Sequence, residues 1–351
     1  VKSLPVHGRG ASYDPPNRFT GLQVERDAWT DPDDPGPETR FYRDASRSIL
    51  ATNASPDVGF DASVNPYRGC EHGCIWCYAR PGHEYLGLSP GLDFETKIFV
   101  KEDAPALLRR KLADPDWEPK VVVMSGVTDP YQPVERRLGI TRGCLEVLAE
   151  FRNPVSIITK NYGVTRDIDL LGELARHDAA RVTLSVTTLR NEIQRVMEPR
   201  TAVPKRRLRA IRELAEAGIP VGVNVAPVVP GLTEHEMAEI LEAAAEAGAT
   251  RAGYILLRLP HAVKEIFAEW LEHHFPDRKE KVLGRIRELR GGRLNDPRFG
   301  SRMKGEGPHA EQIRQLFEVT CRRLGLNDDE GGGSTAAFRR PHGSGGQFEL
   351  F

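Results

Sequence analysis

The sequence predicts an α/β protein: an open, partial (β/α)6 barrel of the TIM type with an extended N-terminal arm and C-terminal helices. Two observations carry the prediction. From about residue 62 to 260, short apolar runs rich in β-branched residues alternate with longer amphipathic stretches, the pattern of repeated βα units. Six units fill about two hundred residues, where a closed eight-stranded barrel typically takes about 250.

The elements follow in chain order. Residues 1–60 are rich in Pro, Asp and Gly, with DPDDPGPETR at 31–40, and hold neither a period of 2 nor one of 3.6, so they read as an extended arm wrapping the domain. The barrel segment, 61–260, has strand candidates in ASVNPY just before the first cysteines, then KVVVMS at 120–125, VSIITK at 155–160, VTLSVTT at 182–188, VGVNVAPVV at 221–229 and GYILLRL at 253–259. The clearest helix is PKRRLRAIRELAEAG: Pro204 suits a first turn, Leu and Ile recur at helical spacing, and Gly218 suits the stop. TEHEMAEILEAAAEAGA follows with a Thr N-cap. Parallel strands require right-handed crossovers, so every strand end opens on one face, and chemistry is expected there. A helical extension, 261–326, carries KEIFAEWLEHHF, RKEKVLGRIRELR and AEQIRQLFEVTCRRLGL, suited to covering an open barrel edge. Residues 327–351 read as a flexible tail ending in a short apolar motif.

Composition narrows the function. The 351 residues carry 49 basic and 50 acidic side chains, so no global field draws the chain onto a polyanion. Contact with nucleic acid would need a local patch. No stretch nears the roughly 18 apolar residues of a membrane helix, and the opening VKSLPVHGRGASYDPPNRF lacks an apolar signal-peptide core, so a cytoplasmic location with no membrane contact is expected. Five cysteines, three of them within eight residues, do not resemble a secreted disulfide framework. Clustered thiols point to metal.

In NPYRGCEHGCIWCYAR, Cys70, Cys74 and Cys77 form a C-x3-C-x2-C pattern directly after the first predicted strand. So short a loop can wrap three thiolates around one face of a cubane, and Gly69 and Gly73 let the backbone come close, where a side chain could collide with the cluster. An electron-transfer ferredoxin supplies four cysteines; the remaining two here, Cys144 and Cys321, sit in predicted helices and read as small buried apolar residues. Three ligands leave one iron open, which suits catalysis. The competing reading is a structural zinc or redox-sensing site that adds His72 or His83 to the three cysteines.

The C-x3-C-x-aromatic-C pattern, with Trp76 at the aromatic position, resembles the hallmark of the radical S-adenosylmethionine (SAM) enzymes. The wider run of NPYRGCEHGCIWCYAR, TDPYQPVE, EPR and VAPVVPGLT is similar to the spore photoproduct lyase-like subgroup over roughly residues 8–325. The resemblance implies a 4Fe-4S cluster and SAM as cofactors, with SAM chelating the open iron and being cleaved by one electron to methionine and a 5'-deoxyadenosyl radical. It also implies an electron donor such as flavodoxin or ferredoxin.

Candidate SAM contacts follow. Ser125, Gly126 and Thr128 lie at the second strand end, where the family carries a Gly-Gly-Glu type motif; no Glu follows Gly126 here. Ser185 and Thr187 share a face of the fourth strand, either toward a ribose or simply filling space. Arg195, Glu198 and Arg200 in RVMEPR offer a cation for the SAM carboxylate, with plain surface charge as the alternative. Asn224 is polar in an apolar strand and needs a partner if buried.

The resemblance makes a DNA lesion the most concrete substrate candidate. Val127, however, stands where the repair enzyme has a hydrogen-donating cysteine. Basic runs at Lys205, Arg206 and Arg207, at Arg322 and Arg323, and at Arg339 and Arg340 could build a DNA-binding face or be solvated helix faces. Gln347 to Phe351, QFELF, resemble the peptide by which bacterial replication proteins dock into the sliding clamp; the alternative is a tail folded back on its own domain.

Overall fold

A computed structural model describes residues 4–20, 37–328 and 333–341. Its strands are β1 Arg40–Arg43, β2 Leu50–Thr52, β3 Ala62–Val64, β4 Tyr67–Arg68, β5 Lys97–Val100, β6 Val122–Met124, β7 Val155–Thr159, β8 Ala180–Ser185, β9 Val221–Val228 and β10 Arg251–Leu256. All six predicted strands form, as β3, β6, β7, β8, β9 and β10, and they lie side by side in chain order and parallel. β2 adds an antiparallel strand beyond β3. The parallel strands are apolar because helices cover them: β9 buries seven of its eight residues, and the one partly exposed is Asn224.

Neither β2 nor three further strands were legible in the sequence. β1, β4 and β5 form a separate small sheet, with β1 parallel and β4 antiparallel to β5. β1 is exposed at all four residues, so no alternation marks it, and β4 is only two residues long.

The helix 140–151 turns Cys144, Leu145, Leu148 and Phe151 onto the sheet, which bears out Cys144 as a core residue; Cys321 is buried likewise. The helix 308–324 lies against the last strand, with Phe317 4.8 Å from the Tyr254 ring. Just beyond it, the Asn327 side chain accepts from Ala252 N at 2.9 Å and donates to Ala252 O at 3.1 Å, occupying backbone groups on β10. The helices 263–274 and 279–289 share a second core with Ile75 of the cysteine loop and Ala11 of the arm. Those helices therefore brace the loop as well as the sheet.

Residues 9–11 of the N-terminal segment contact the body. Arg9 Nη1 donates to Glu95 O, and the backbone N–H groups of Gly10 and Ala11 donate to the Glu95 carboxylate at 3.0 and 2.8 Å. Gly10 packs so closely on the cysteine loop that a Cβ there would lie 1.8 Å from Gly73 O. At the other end, residues 333–341, expected in a flexible tail, rest on the body. Phe338 packs toward Phe151, Arg339 Nε donates to Glu150 O, and Arg340 donates to the carbonyls of Asp114, Pro115 and Trp117. The clamp-like peptide 347–351 lies outside the described residues. Among those described, no helix is long and apolar enough to cross a membrane.

Candidate functional site

Parallel order places the ends of β3, β6, β7, β8, β9 and β10 on one face, and the cysteine loop leaves β4 at that face. Cys70 and Cys74 are buried and Cys77 partly so; all are free thiols. Burial pushes Cys77 up to about 11 and Cys74 well above the usual thiol range, so thiolates here need a cation against them. Among the described residues no three His, Cys, Asp or Glu side chains converge on a single ion. Of the two imidazoles that a zinc site would need, His83 is engaged elsewhere, its Nε2 meeting Lys97 O at 2.9 Å between Phe94 and Phe99, while His72 lies between Asp129 and Asn161 and also meets Cys70. An iron-sulfur cube, which takes each thiolate on a separate iron, suits this donor set better than one ion does.

The loop is held by polar side chains that sequence reading did not single out. Gln132 donates to Gly69 O and accepts from Glu71 N, spanning the first cysteine. Glu71 accepts from Val134 N at 2.8 Å and pairs with Arg200 at 3.2 Å. Asp129 accepts from Thr159 Oγ1, from the backbone N–H groups of Lys160 and Tyr131, and pairs with His72. Burial alone would raise the Asp129 pKa, yet these contacts hold it below the usual carboxylate value. Fully buried Arg80 donates to Cys74 O and to the carbonyls of Pro90 and Gly91, and pairs with Glu95 at 2.5 Å.

A second network sits at the ends of β7, β8 and β9. Lys160 Nζ lies 2.8 Å from Ala226 O, 3.2 Å from Glu198 Oε1, 3.3 Å from Thr187 Oγ1 and 4.7 Å from the Trp76 ring centroid. Glu198 also pairs with buried Arg207 at 2.5 Å. Burial pushes its pKa up, but Arg207 and Lys160 overcome that and hold it near 2. Trp76 Nε1 is a buried donor without a partner among the described residues.

The predicted SAM residues sort accordingly. Trp76, Thr187 and Glu198 meet around Lys160. Ser185 is buried, and its carbonyl accepts from Arg207. Ser125 takes φ +108°, a conformation L side chains rarely adopt, at the end of β6. Gly126 N is held by Asn65 Oδ1, and a Cβ on Gly126 would press on Ser63. The Asn224 amide has no hydrogen bond among the described residues and stays available. Other readings change. Thr128 donates to Tyr67 O and so pins the loop. Arg200 is spent on Glu71 and Thr39, while Arg195 is exposed and unpaired among the described residues. Arg207, read as part of a basic run, is buried under Glu198. Gly69 and Gly73 do take positive φ, but a Cβ would strike His83 and Glu95, not the space for a cluster.

The family model of the radical SAM superfamily matches residues 64–244, which spans the cysteine loop and both networks. The chain belongs to the radical SAM superfamily. Enzymes of this superfamily use a 4Fe-4S cluster and SAM, and the three thiols with the partnerless Trp76 donor fit that pair. This radical SAM chain is 38% identical over 244 residues to an uncharacterized protein of Mycobacterium tuberculosis, covering 68% of this chain and 71% of that one. It is 21% identical over 289 residues to the radical SAM Nalpha-GlyT isomerase of Pseudomonas phage M6, covering 82% of this chain and 56% of the isomerase. Spore photoproduct lyase complexed with dinucleoside spore photoproduct shares the fold, with TM-score 0.58, 17% identity and coverage of 82% and 80%.

Lys160 could have been found in the sequence. A lysine closing the apolar run VSIITK has no place in a strand interior unless something at the strand end needs its charge.

Proposed function

We propose that Cys70, Cys74 and Cys77 hold a 4Fe-4S cluster at the mouth of a partial (β/α)6 barrel, and that SAM binds the open iron between the cysteine loop and the ends of β6 to β9. When bound, the cluster and SAM supply a one-electron source and a 5'-deoxyadenosyl radical. The chain's own residues position and shield. Gln132, Glu71 and Arg80 fix the loop; Lys160, held by Glu198 and Thr187, presents a positive charge beside Trp76; Asn224 within β9 and Ser125 at the end of β6 offer polar atoms. The arm, packed on Gly73, keeps water from the loop.

The substrate class we infer is a nucleic-acid lesion or modified nucleotide, since the fold is shared with a lyase complexed with dinucleoside spore photoproduct. Exposed Val127 on the β6 loop means hydrogen return by a donor other than a thiol at that position. A flavodoxin or ferredoxin would supply the electron.

The observation that carries the reading is the set of three free thiols, two buried and one partly buried, in a loop anchored by its own polar clamp. Anaerobic reconstitution with iron, sulfide, reductant and SAM should yield 5'-deoxyadenosine. A colourless, zinc-loaded protein that leaves SAM intact would sink it. Deuterium carried from a labelled oligonucleotide into 5'-deoxyadenosine would identify the molecule attacked.

A further inference from the structure

Arg258 stands two residues beyond β10, at the same end of the sheet as the cysteine loop. Its guanidinium carbon lies 5.4 Å from the centroid of the Tyr78 ring, and Tyr78 directly follows Cys77. Among the described residues this cation has no carboxylate partner. Nη1 approaches only the Met303 sulfur, at 3.6 Å, and Nε is buried without any hydrogen-bond partner. Asp57, the carboxylate that could serve, is ion-paired with Arg302 and accepts from Gly300 N. Arg302 thus brings a second positive charge toward Arg258, and burial together with that repulsion lowers the Arg258 pKa. Nearby surface is open: Tyr78 and Val127 are each 46% exposed.

A largely buried guanidinium held near another cation destabilises the protein unless something negative binds there. The rest of the fold shows how it treats arginines kept for structure: Arg80, Arg207 and Arg290 each have two or more oxygen acceptors. Arg258 has none. We propose that Arg258 binds an oxyanion, a phosphate or a carboxylate, carried by the substrate, with the Tyr78 ring as the floor of the recess. A guanidinium offers two parallel N–H donors to such a group, which a lone ammonium does not. This assignment rests on the radical SAM reading above, because it places the substrate next to the residue that follows the third cysteine.

The test uses the full reconstituted chain and Arg258→Met, with inorganic phosphate and acetate as separate probes at constant ionic strength. In wild type, one of the two anions raises the melting temperature, and which one does so distinguishes a phosphate from a carboxylate source. In Arg258→Met that rise is lost, with affinity weakened about tenfold or more, while the anion-free protein melts at the same temperature or higher. Arg258→Gln is read in the same way should the methionine variant fail to fold. The proposal is overturned if neither anion stabilises wild type, if the variants respond like wild type, or if both variants melt markedly lower without anion, as a structural arginine requires. It is also overturned if they lose substrate-free SAM cleavage that wild type retains, since Arg258 would then serve SAM. Absence of SAM cleavage in wild type counts against the function proposed above and leaves the anion titration readable.

Discussion

The cysteine loop and the rim beyond β10 lie at the same end of the sheet, and they treat polar groups in opposite ways. Around the loop nearly every buried polar atom is satisfied, and charges are paired: Arg80 with Glu95, Arg200 with Glu71, Arg207 with Glu198. At the rim Arg258 is left without a carboxylate, next to exposed Tyr78 and Val127. A saturated network has a single low-energy arrangement and suits groups that must hold a cofactor without moving. An unsatisfied charge stores interaction energy for a ligand still to arrive. On the function proposed above, the contrast separates the part of the molecule that would retain the cofactor from the part that would admit substrate.

The comparison can be broken most directly at the loop. Replacing Cys70, Cys74 and Cys77 by Ala should abolish cluster absorbance and 5'-deoxyadenosine formation, measured by visible spectroscopy and chromatography after reconstitution. Retention of either would move the cofactor elsewhere. A smaller effect is expected at the charge beneath it. Arg207→Met leaves Glu198 buried with Lys160 as its remaining cation and should destabilise the fold by about 3–5 kcal/mol in chemical denaturation; a change below about 1 kcal/mol would show that the network is not tight.

Gly10→Ala sharpens the role of the arm. A Cβ 1.8 Å from Gly73 O cannot be accommodated without displacing backbone, so a loss of about 1–3 kcal/mol is expected, together with faster cluster decay in air. Unchanged stability would mean that the arm is not seated on the loop. A further effect concerns His83. Burial depresses its pKa to about 4, so between pH 6.5 and 4 the unfolded chain binds a proton that the folded chain refuses. Stability should therefore fall as pH drops through that window, by at most about 1.4 kcal/mol per pH unit from this group. His83→Gln should flatten the slope; an unaltered slope assigns it to other groups.

Much of this was legible in the residues. The six parallel strands announced themselves through short apolar, β-branched runs, most completely in β9, which buries seven of its eight residues. Cys70, Cys74 and Cys77 were legible because spacing within one short loop is a local property. β1 was not, since its four residues are exposed and its partner β5 lies more than fifty residues on. Nor were the roles of Thr128, Arg200 and Arg207, which the sequence offered as ligand contacts or a basic patch and the fold spends on Tyr67 O, Glu71 and Glu198.

By itself, then, the sequence determined the periodic elements, their order and the triad of thiols, because these depend on neighbours within a few residues. Tertiary structure alone decided which charges are paired and which stay open: Lys160 against Glu198, Gly10 against Gly73, and Arg258 with no carboxylate in an ion pair with it among the described residues. Pairing depends on distance in space, and residues far apart in the chain meet only when parallel strands bring their ends to a common face.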